Sequence, residues 1–252
     1  MHPKLFHIFD SYVVMILVGV FAAFIIYLLY AKKNKDCSSI KIDFILCGIV
    51  AIIVGIIFAI LFENLYELIN SPKTYKWTWG MTFYGGLFGG VIAFILMYRF
   101  YFRKRHEPYM QKTLIIAPAC VCIAHAFGRI GCFLVGCCYG KETSAWFGLK
   151  FVTTETKVIP TQLFEVIFLF LLGATLLFLA FKYNFKYSFA IYIGCYCVFR
   201  FIIEFFRGDP RGGFFLNLSP SQWWCLVLAI VLPFLINISK KTIFKESKDE
   251  TA

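Results

Sequence analysis

Apolar positions fall into seven runs along the chain, separated by shorter polar stretches. They are Tyr12–Tyr30, Phe44–Phe62, Phe83–Phe102, Leu114–Val135, Leu163–Phe181, Phe189–Phe206 and Trp223–Ile238. A helix that crosses a bilayer needs ~20 mostly apolar residues. It also closes its own backbone hydrogen bonds, which lipid cannot do for it. The pattern therefore predicts an all-α integral membrane protein, a seven-transmembrane helix bundle. The last run is the weakest, being short and holding Pro233. Composition agrees: the 252 residues are 60% hydrophobic and 15% charged, with a mean hydropathy of +0.77. A soluble domain carries more charge. The start, "MHPKLFHIFDSYVV", has no cluster of basic residues and no small-residue cleavage site, so the first run reads as retained.

The polar stretches carry the orientation. The connections after runs one, three and five, with the tail, hold 15 basic residues; the N-terminus and the other three connections, which include Arg207 and Arg211, hold 8. Basic residues concentrate on the cytoplasmic side, which predicts the N-terminus outside and the C-terminus in the cytoplasm. The net charge of +11 is then a topology signal, with some attraction to anionic headgroups, and no nucleic-acid partner is expected. Residues 1–239 read as one membrane domain and 240–252 as a polar cytoplasmic tail. The long connection Gly140–Pro160 falls outside and is rich in Thr and β-branched residues, which suits a short hairpin.

Two basic residues fall outside both counts and lie well inside the runs, Arg129 and Arg200. A charge in a spanning helix costs several kcal/mol and marks function by default; the competing reading is an arginine that snorkels to the interface. Arg129 lies roughly 22 Å along its run and Arg200 roughly 21 Å from Lys186, at about 1.5 Å per residue. Both then fall in the outer half. Tyr196, Arg200, Glu204 and Arg207 recur at three- and four-residue spacing and predict one helix face with a surplus positive charge. Tyr12, Tyr84, Gln162 and Glu165 open other runs on the same side. Polar groups gathered at one level of a bundle predict a site, and arginines around it predict a phosphate. A phosphate at an outer leaflet is most simply a phospholipid headgroup. Beside Tyr84, Gly85, Gly86, Gly89 and Gly90 bare one helix face, for close helix packing or for substrate approach.

With these residues in view, the chain resembles the prolipoprotein diacylglyceryl transferase family from Tyr12 to about Trp224. "SYVVMILVGV" is similar to its first-span segment, and "FYGGLFGG" to its His-Gly-Gly segment. "GRIGCFLVGCCYG" resembles its signature Gly-Arg-x-Gly-Asn-Phe-x-Asn-x-Glu-x-x-Gly, placing Arg129 on the arginine and Gly140 on the closing glycine. "PTQLFE", "YCVFRFIIEFFRGDP" and "SPSQWW" are similar to further family segments and place Gln162, Glu165, Tyr196, Arg200, Glu204, Arg207 and Gln222 on family positions. The resemblance implies a transferase of the bacterial cytoplasmic membrane. Its members move diacylglyceryl from phosphatidylglycerol to the lipobox cysteine of prolipoproteins, and no cofactor is expected for this chain. It implies catalytic roles for Tyr12, Tyr84, Arg129, Tyr196, Arg200 and Glu204. It implies phospholipid binding by Arg129, Arg200, Arg207, Gly85, Gly86, Gly140, Gln162, Glu165 and Gln222. The alternatives are transfer to a different thiol or hydroxyl acceptor, and a non-catalytic protein that binds an anionic phospholipid.

The chain departs from the family pattern at four positions. Tyr84 stands for the family histidine, and Cys132, Val135 and Cys137 replace Asn, Asn and Glu of the signature. Tyrosine, with an ordinary pKa of about 10, is a poor base near neutrality. His125, one turn before Arg129, is a candidate base or else a core histidine bonded to backbone. Four readings stand for Cys132, Cys137 and Cys138: apolar filler, site thiols, an oxidised pair of Cys132 with Cys137 or Cys138, and a metal site with His125. Their Cys-x4-Cys-Cys spacing is not a standard zinc pattern, and no metal is expected.

Overall fold

The computed structural model describes residues 4–5, 9–70, 72–80, 82–209 and 216–242. Seven α-helices make up most of these: α1 (Ser11–Lys33), α2 (Lys35–Asn70), α3 (Phe83–Met97), α4 (Arg103–Val135), α5 (Thr161–Tyr183), α6 (Ser188–Ile203) and α7 (Pro220–Thr242). Two two-residue strands, β1 (Lys4–Leu5) and β2 (Phe9–Asp10), pair antiparallel ahead of α1. Five helical segments are long and apolar enough to cross a bilayer: Ser11–Lys33, Ile42–Ile69, Lys112–Val135, Thr161–Tyr183 and Ser188–Phe206. Phe88–Tyr101 and Pro220–Phe234 are apolar but shorter. Leu17, Phe21, Leu29, Ile167, Leu171 and Ile230 point outward and exposed, as side chains facing lipid would. The protein is all-α and built for a membrane.

Three expectations change. Residues 103–113, read as a basic connection, are helical and follow α3 through a π-helical turn at Tyr98–Phe102. Arg207 does not continue the α6 face: the helix passes into a 3-10 turn at Glu204–Phe206, and Arg207 is extended (φ −75°, ψ 142°). The following Gly-Asp-Pro sequence disfavours further helix there. The Gly140–Pro160 connection closes on itself without regular strands. Single antiparallel bridges join Glu142 and Leu149 to Val158, and Gly140 to Arg207. The helix α7 runs to Thr242, while residues 243–252 and Arg211 lie outside the described residues.

The chain forms two compact units, Met1–Tyr30 with Gln111–Ala252, and Ala31–Met110. In the smaller unit α2 packs on α3 through glycine. A Cβ on Gly85 would stand 2.6 Å from the Phe58 carbonyl oxygen and 2.7 Å from Phe62 Cβ. Close packing thus accounts for Gly85 directly. Gly86 sits against Gly55 and Ala59 with more room. Tyr84 opens α3 in this unit; its side chain is outside what is described.

The larger unit is organised around α4, α5 and α6. The Cys122 thiol reaches the Leu169 carbonyl oxygen at 3.1 Å, and Gly173 admits Ile123, so α4 and α5 lie close. Phe168 on α5 stacks on Phe199 of α6 with ring centroids 4.1 Å apart, a pairing worth ~0.5–1.5 kcal/mol beyond area. At the other end of α5, Asn184 takes the left-handed C-cap conformation and accepts a hydrogen bond from Tyr30 of α1. These contacts fix the height at which the polar residues of the three helices face each other.

Candidate active site

Glu165, one turn into α5, is the centre of the larger unit's polar cluster and is 2% exposed. Its Oε1 accepts the Tyr196 hydroxyl at 2.7 Å and lies 3.0 Å from Arg129 Nε. Arg200 Nη1 donates to its Oε2 at 3.5 Å. His125 Nε2 stands 3.9 Å from Oε1, and His125 Nδ1 is 3.5 Å from the Tyr192 hydroxyl. His125 therefore faces side chains rather than backbone. One carboxylate thus holds arginines from α4 and α6.

Arg200 has two further partners. Its Nη2 reaches Glu204 Oε2 at 3.0 Å, one turn along the chain, and Ser221 Oγ at 3.4 Å. Arg207 is held by a two-pronged pair with Asp209, at 2.9 and 2.7 Å. Arg129, Arg200 and Arg207 are thus matched by Glu165, Glu204 and Asp209, and the surplus positive charge expected from α6 is offset within the cluster. The buried Nε of Arg129 is close to Glu165 but has no aligned hydrogen-bond partner.

Gln222, a candidate for substrate binding, has its side chain in a helix cap. Ser219 and Gln222 form a reciprocal capping box at the start of α7, with Pro220 at the first helical position. Gln222 Nε2 also donates to the Phe201 carbonyl. This cap sets the place of Ser221, and hence of the hydroxyl on Arg200. Tyr12 follows the N-capping Asp10, whose carboxylate accepts its N–H at 2.8 Å. Its ring lies against the α4 backbone, about where a Gly131 Cβ would stand.

The chain after α4 turns back over the helix end. Gly136, at φ +80°, is a left-handed C-cap. The Cys137 N–H bonds the Cys132 carbonyl and the Gly136 N–H bonds Phe133, the two hydrogen bonds of a Schellman motif. Cys138 is also left-handed, at φ +65°. Three side chains clamp the turn: Thr153 on the Gly136 carbonyl (2.6 Å), Gln162 on Cys137 (2.6 Å) and Thr161 on Cys138 (2.8 Å). Gln162 Oε1 is buried and has no hydrogen-bond partner. The three cysteine sulfurs come within 4.8 Å of one another. The Cys137 thiol donates to the Cys132 carbonyl oxygen at 3.7 Å. The neighbouring Cys132 and Cys137 thiols hold Cys138 below the usual thiol range. Arg207 and Arg129 add to this, against burial.

Gly140 closes the turn with its N–H on the Ile159 carbonyl at 2.8 Å. A Cβ there would meet Ile159 Cβ and Phe206 O, both at 2.7 Å. Gly140→Ala is expected to lose about 1–3 kcal/mol of stability, as overpacking does. The apparent unfolding temperature in detergent checks this; an unchanged value would show that the turn gives way freely.

The structure brings Tyr12, His125, Arg129, Cys132, Cys137, Cys138, Gly140, Gln162, Glu165, Tyr196, Arg200, Glu204, Arg207 and Gln222 into one unit; Tyr84, Gly85 and Gly86 belong to the other. Sequence reasoning missed Ser221, Tyr192, Thr153 and Thr161. Of these only Ser221 had a local signal, the Ser-x-x-Gln cap beside it.

Comparison with known proteins adds the lineage. The family model for prolipoprotein diacylglyceryl transferase matches residues 3–238. A phosphatidylglycerol–prolipoprotein diacylglyceryl transferase of Clostridium tetani is 34% identical over 251 residues, covering 95% of this chain and 98% of that protein. A second, of Clostridium perfringens, is 34% identical over 177 residues, 68% of this chain and 67% of its own. One from Chlorobaculum tepidum is 34% identical over 158 residues, 59% and 52% of the two chains. A match to the family model across nearly the whole length, with a relative 34% identical over 95% of this chain, means that the chain belongs to the prolipoprotein diacylglyceryl transferase family.

Proposed function

We propose that the protein transfers the diacylglyceryl group of phosphatidylglycerol to the lipobox cysteine of prolipoproteins, at the outer face of the bacterial cytoplasmic membrane. Family membership supports the reaction. The observation that carries it to this site is the pair of arginines held by one buried carboxylate, with an unaligned Arg129 N–H in reserve.

The acceptor's thiolate sulfur attacks the glyceryl carbon bearing the phosphate. The new bond is a thioether C–S bond. The C–O bond to phosphate breaks, and glycerol phosphate leaves with the electron pair. The phosphate goes from one negative charge to two, so donors aimed at it stabilise the transition state more than the ground state. Arg129 and Arg200 supply such donors, and Arg207 extends them toward the surface. Guanidinium forks suit phosphate oxygens. Glu165 and Tyr196 orient the two arginines before substrate arrives, so little reorganisation is left to the reaction. The thiolate is the nucleophile, and the acceptor proton must leave before attack.

The orientation follows the basic-residue count: seven crossings, N-terminus outside, Cys138 and the Gly140–Pro160 connection at the outer surface. A reporter fused at the C-terminus is expected to signal from the cytoplasm; a signal from outside would reverse the arrangement and remove the outer leaflet as the lipid source.

The deciding experiment supplies the protein to a strain depleted of its own prolipoprotein transferase. Growth should return, with a thioether-linked diacylglyceryl group on a lipobox cysteine by mass spectrometry. If the inserted protein leaves that cysteine unmodified, the lipoprotein acceptor is wrong. Glycerol phosphate released with another acceptor would then mark a related transferase, and none would mark a lipid binder.

A further inference from the structure

The geometry points to a three-thiolate site, formed by Cys132, Cys137 and Cys138, that binds a thiophilic divalent cation of the zinc type and leaves one position open for the acceptor thiol. The role of the open position rests on the transferase reading above; the cation site itself does not.

The spacing that looks unlike a zinc motif is explained by the fold. In a Schellman cap, the side chains three residues before and two residues after the helix end meet. Here those residues are Cys132 and Cys137, and the cap is complete in both hydrogen bonds. Cys138 is the residue this cap does not require. Its left-handed backbone, uncommon for a residue with a Cβ, brings a third sulfur to the pair. In a tetrahedral site with bonds of ~2.3 Å, sulfurs stand about 3.8 Å apart. The observed separations, all within 4.8 Å, close to that with shifts of about 1 Å.

The surroundings are built for such a site. The carbonyls of residues 136, 137 and 138 are each fixed by a different side chain, Thr153, Gln162 and Thr161, so the loop is held in place. A cation at the C-terminal end of α4 meets the favourable end of the helix dipole. Three thiolates and one divalent cation leave one negative charge. Cys132 is buried while Cys137 and Cys138 are half-exposed, so the approach lies on their side.

Three protein ligands and an open place are the arrangement of catalytic rather than structural zinc. A thiol that coordinates such a cation is deprotonated outright. The acceptor cysteine would enter as the fourth sulfur, lose its proton to water, and stand as a bound thiolate near the arginines. It would then attack the glyceryl carbon as written above, with no change in the metal's oxidation state.

Co(II) is the probe, because thiolate-to-cobalt charge transfer reports the sulfurs directly. Protein purified in detergent under reductant should bind about one Co(II) per chain, with a near-ultraviolet charge-transfer band that Zn(II) abolishes. The band should disappear in Cys132→Ser/Cys137→Ser/Cys138→Ser and weaken in the half-exposed Cys138→Ser alone, which keeps the buried sulfur and serves if the triple variant does not fold. A lipobox peptide should intensify the band, and its Cys→Ser version should not. Co(II) binding no tighter in the parent than in the Cys138→Ser variant would overturn the site. So would a disulfide among the three cysteines in protein isolated with its thiols trapped. A band indifferent to the peptide thiol would remove the acceptor's place on the metal. These readouts need no turnover, so they stand apart from the outcome of the depletion experiment.

Discussion

Glu165→Ala is expected to cost about 3–5 kcal/mol and to prevent accumulation of folded protein in the membrane. The carboxylate is 2% exposed, and two guanidiniums and a tyrosine hydroxyl depend on it. Its removal leaves Arg129 and Arg200 facing each other with one countercharge fewer, in surroundings where water cannot compensate. Glu165→Gln separates shape from charge. An amide oxygen still accepts the Tyr196 hydroxyl, so this variant should insert in larger amounts yet transfer no lipid. Membrane content by immunoblot and transfer to a lipobox peptide measure the two effects. Full activity in Glu165→Gln would mean that the arginines are oriented by other groups.

The second large effect belongs to the arginines. Arg200→Gln and Arg129→Gln are each expected to lower turnover about 10²–10³-fold, the usual cost of removing one donor aimed at developing charge. The loss should appear chiefly in kcat, since these donors matter most when the phosphate gains its second negative charge. Arg200→Lys tests geometry. It keeps the charge but cannot span Glu165, Glu204 and Ser221 with one planar group. It should therefore stay close to the glutamine variant rather than the parent. Normal kinetics in both glutamine variants would make the arginines structural.

Much of this architecture can be read from hydrophobic pattern. Long apolar runs gave the helices, and five meet the length and apolarity of a span. The pattern cannot say where a helix gives way to another local form. The basic residues at 103–113 read as a connection because charge interrupts hydropathy, yet the backbone there is helical and runs through Pro108. Arg207 failed in the opposite direction: its spacing fits the α6 face, but the Gly-Asp-Pro after it favours an extended exit.

The site was legible by residue and not by partnership. Arg129, Arg200 and Glu165 each stood out as a charge in an apolar run, but periodicity describes one helix at a time. It has no means of showing that two arginines on α4 and α6 share one carboxylate on α5. Gln222 is the reverse case. Read locally, Ser219-Pro-Ser-Gln222 is a helix start, and the structure shows that cap. The cysteine cluster was in principle readable as well. A glycine four residues after Cys132 and just before Cys137 is the signature of a cap that makes those two side chains neighbours.

The segment Thr161-Gln162-Leu163-Phe164-Glu165 does two jobs three residues apart. Its first turn anchors the cysteine loop, and its next residue on the same face anchors the arginines. One inserted or deleted residue between Gln162 and Glu165 would rotate the carboxylate by about 100° and shift it ~1.5 Å relative to the loop anchors. Amino-acid exchanges at Leu163 and Phe164 leave that phase untouched. Drift here can change letters but not length, and a library of single-residue insertions across α5 should show its sharpest intolerance in this one turn.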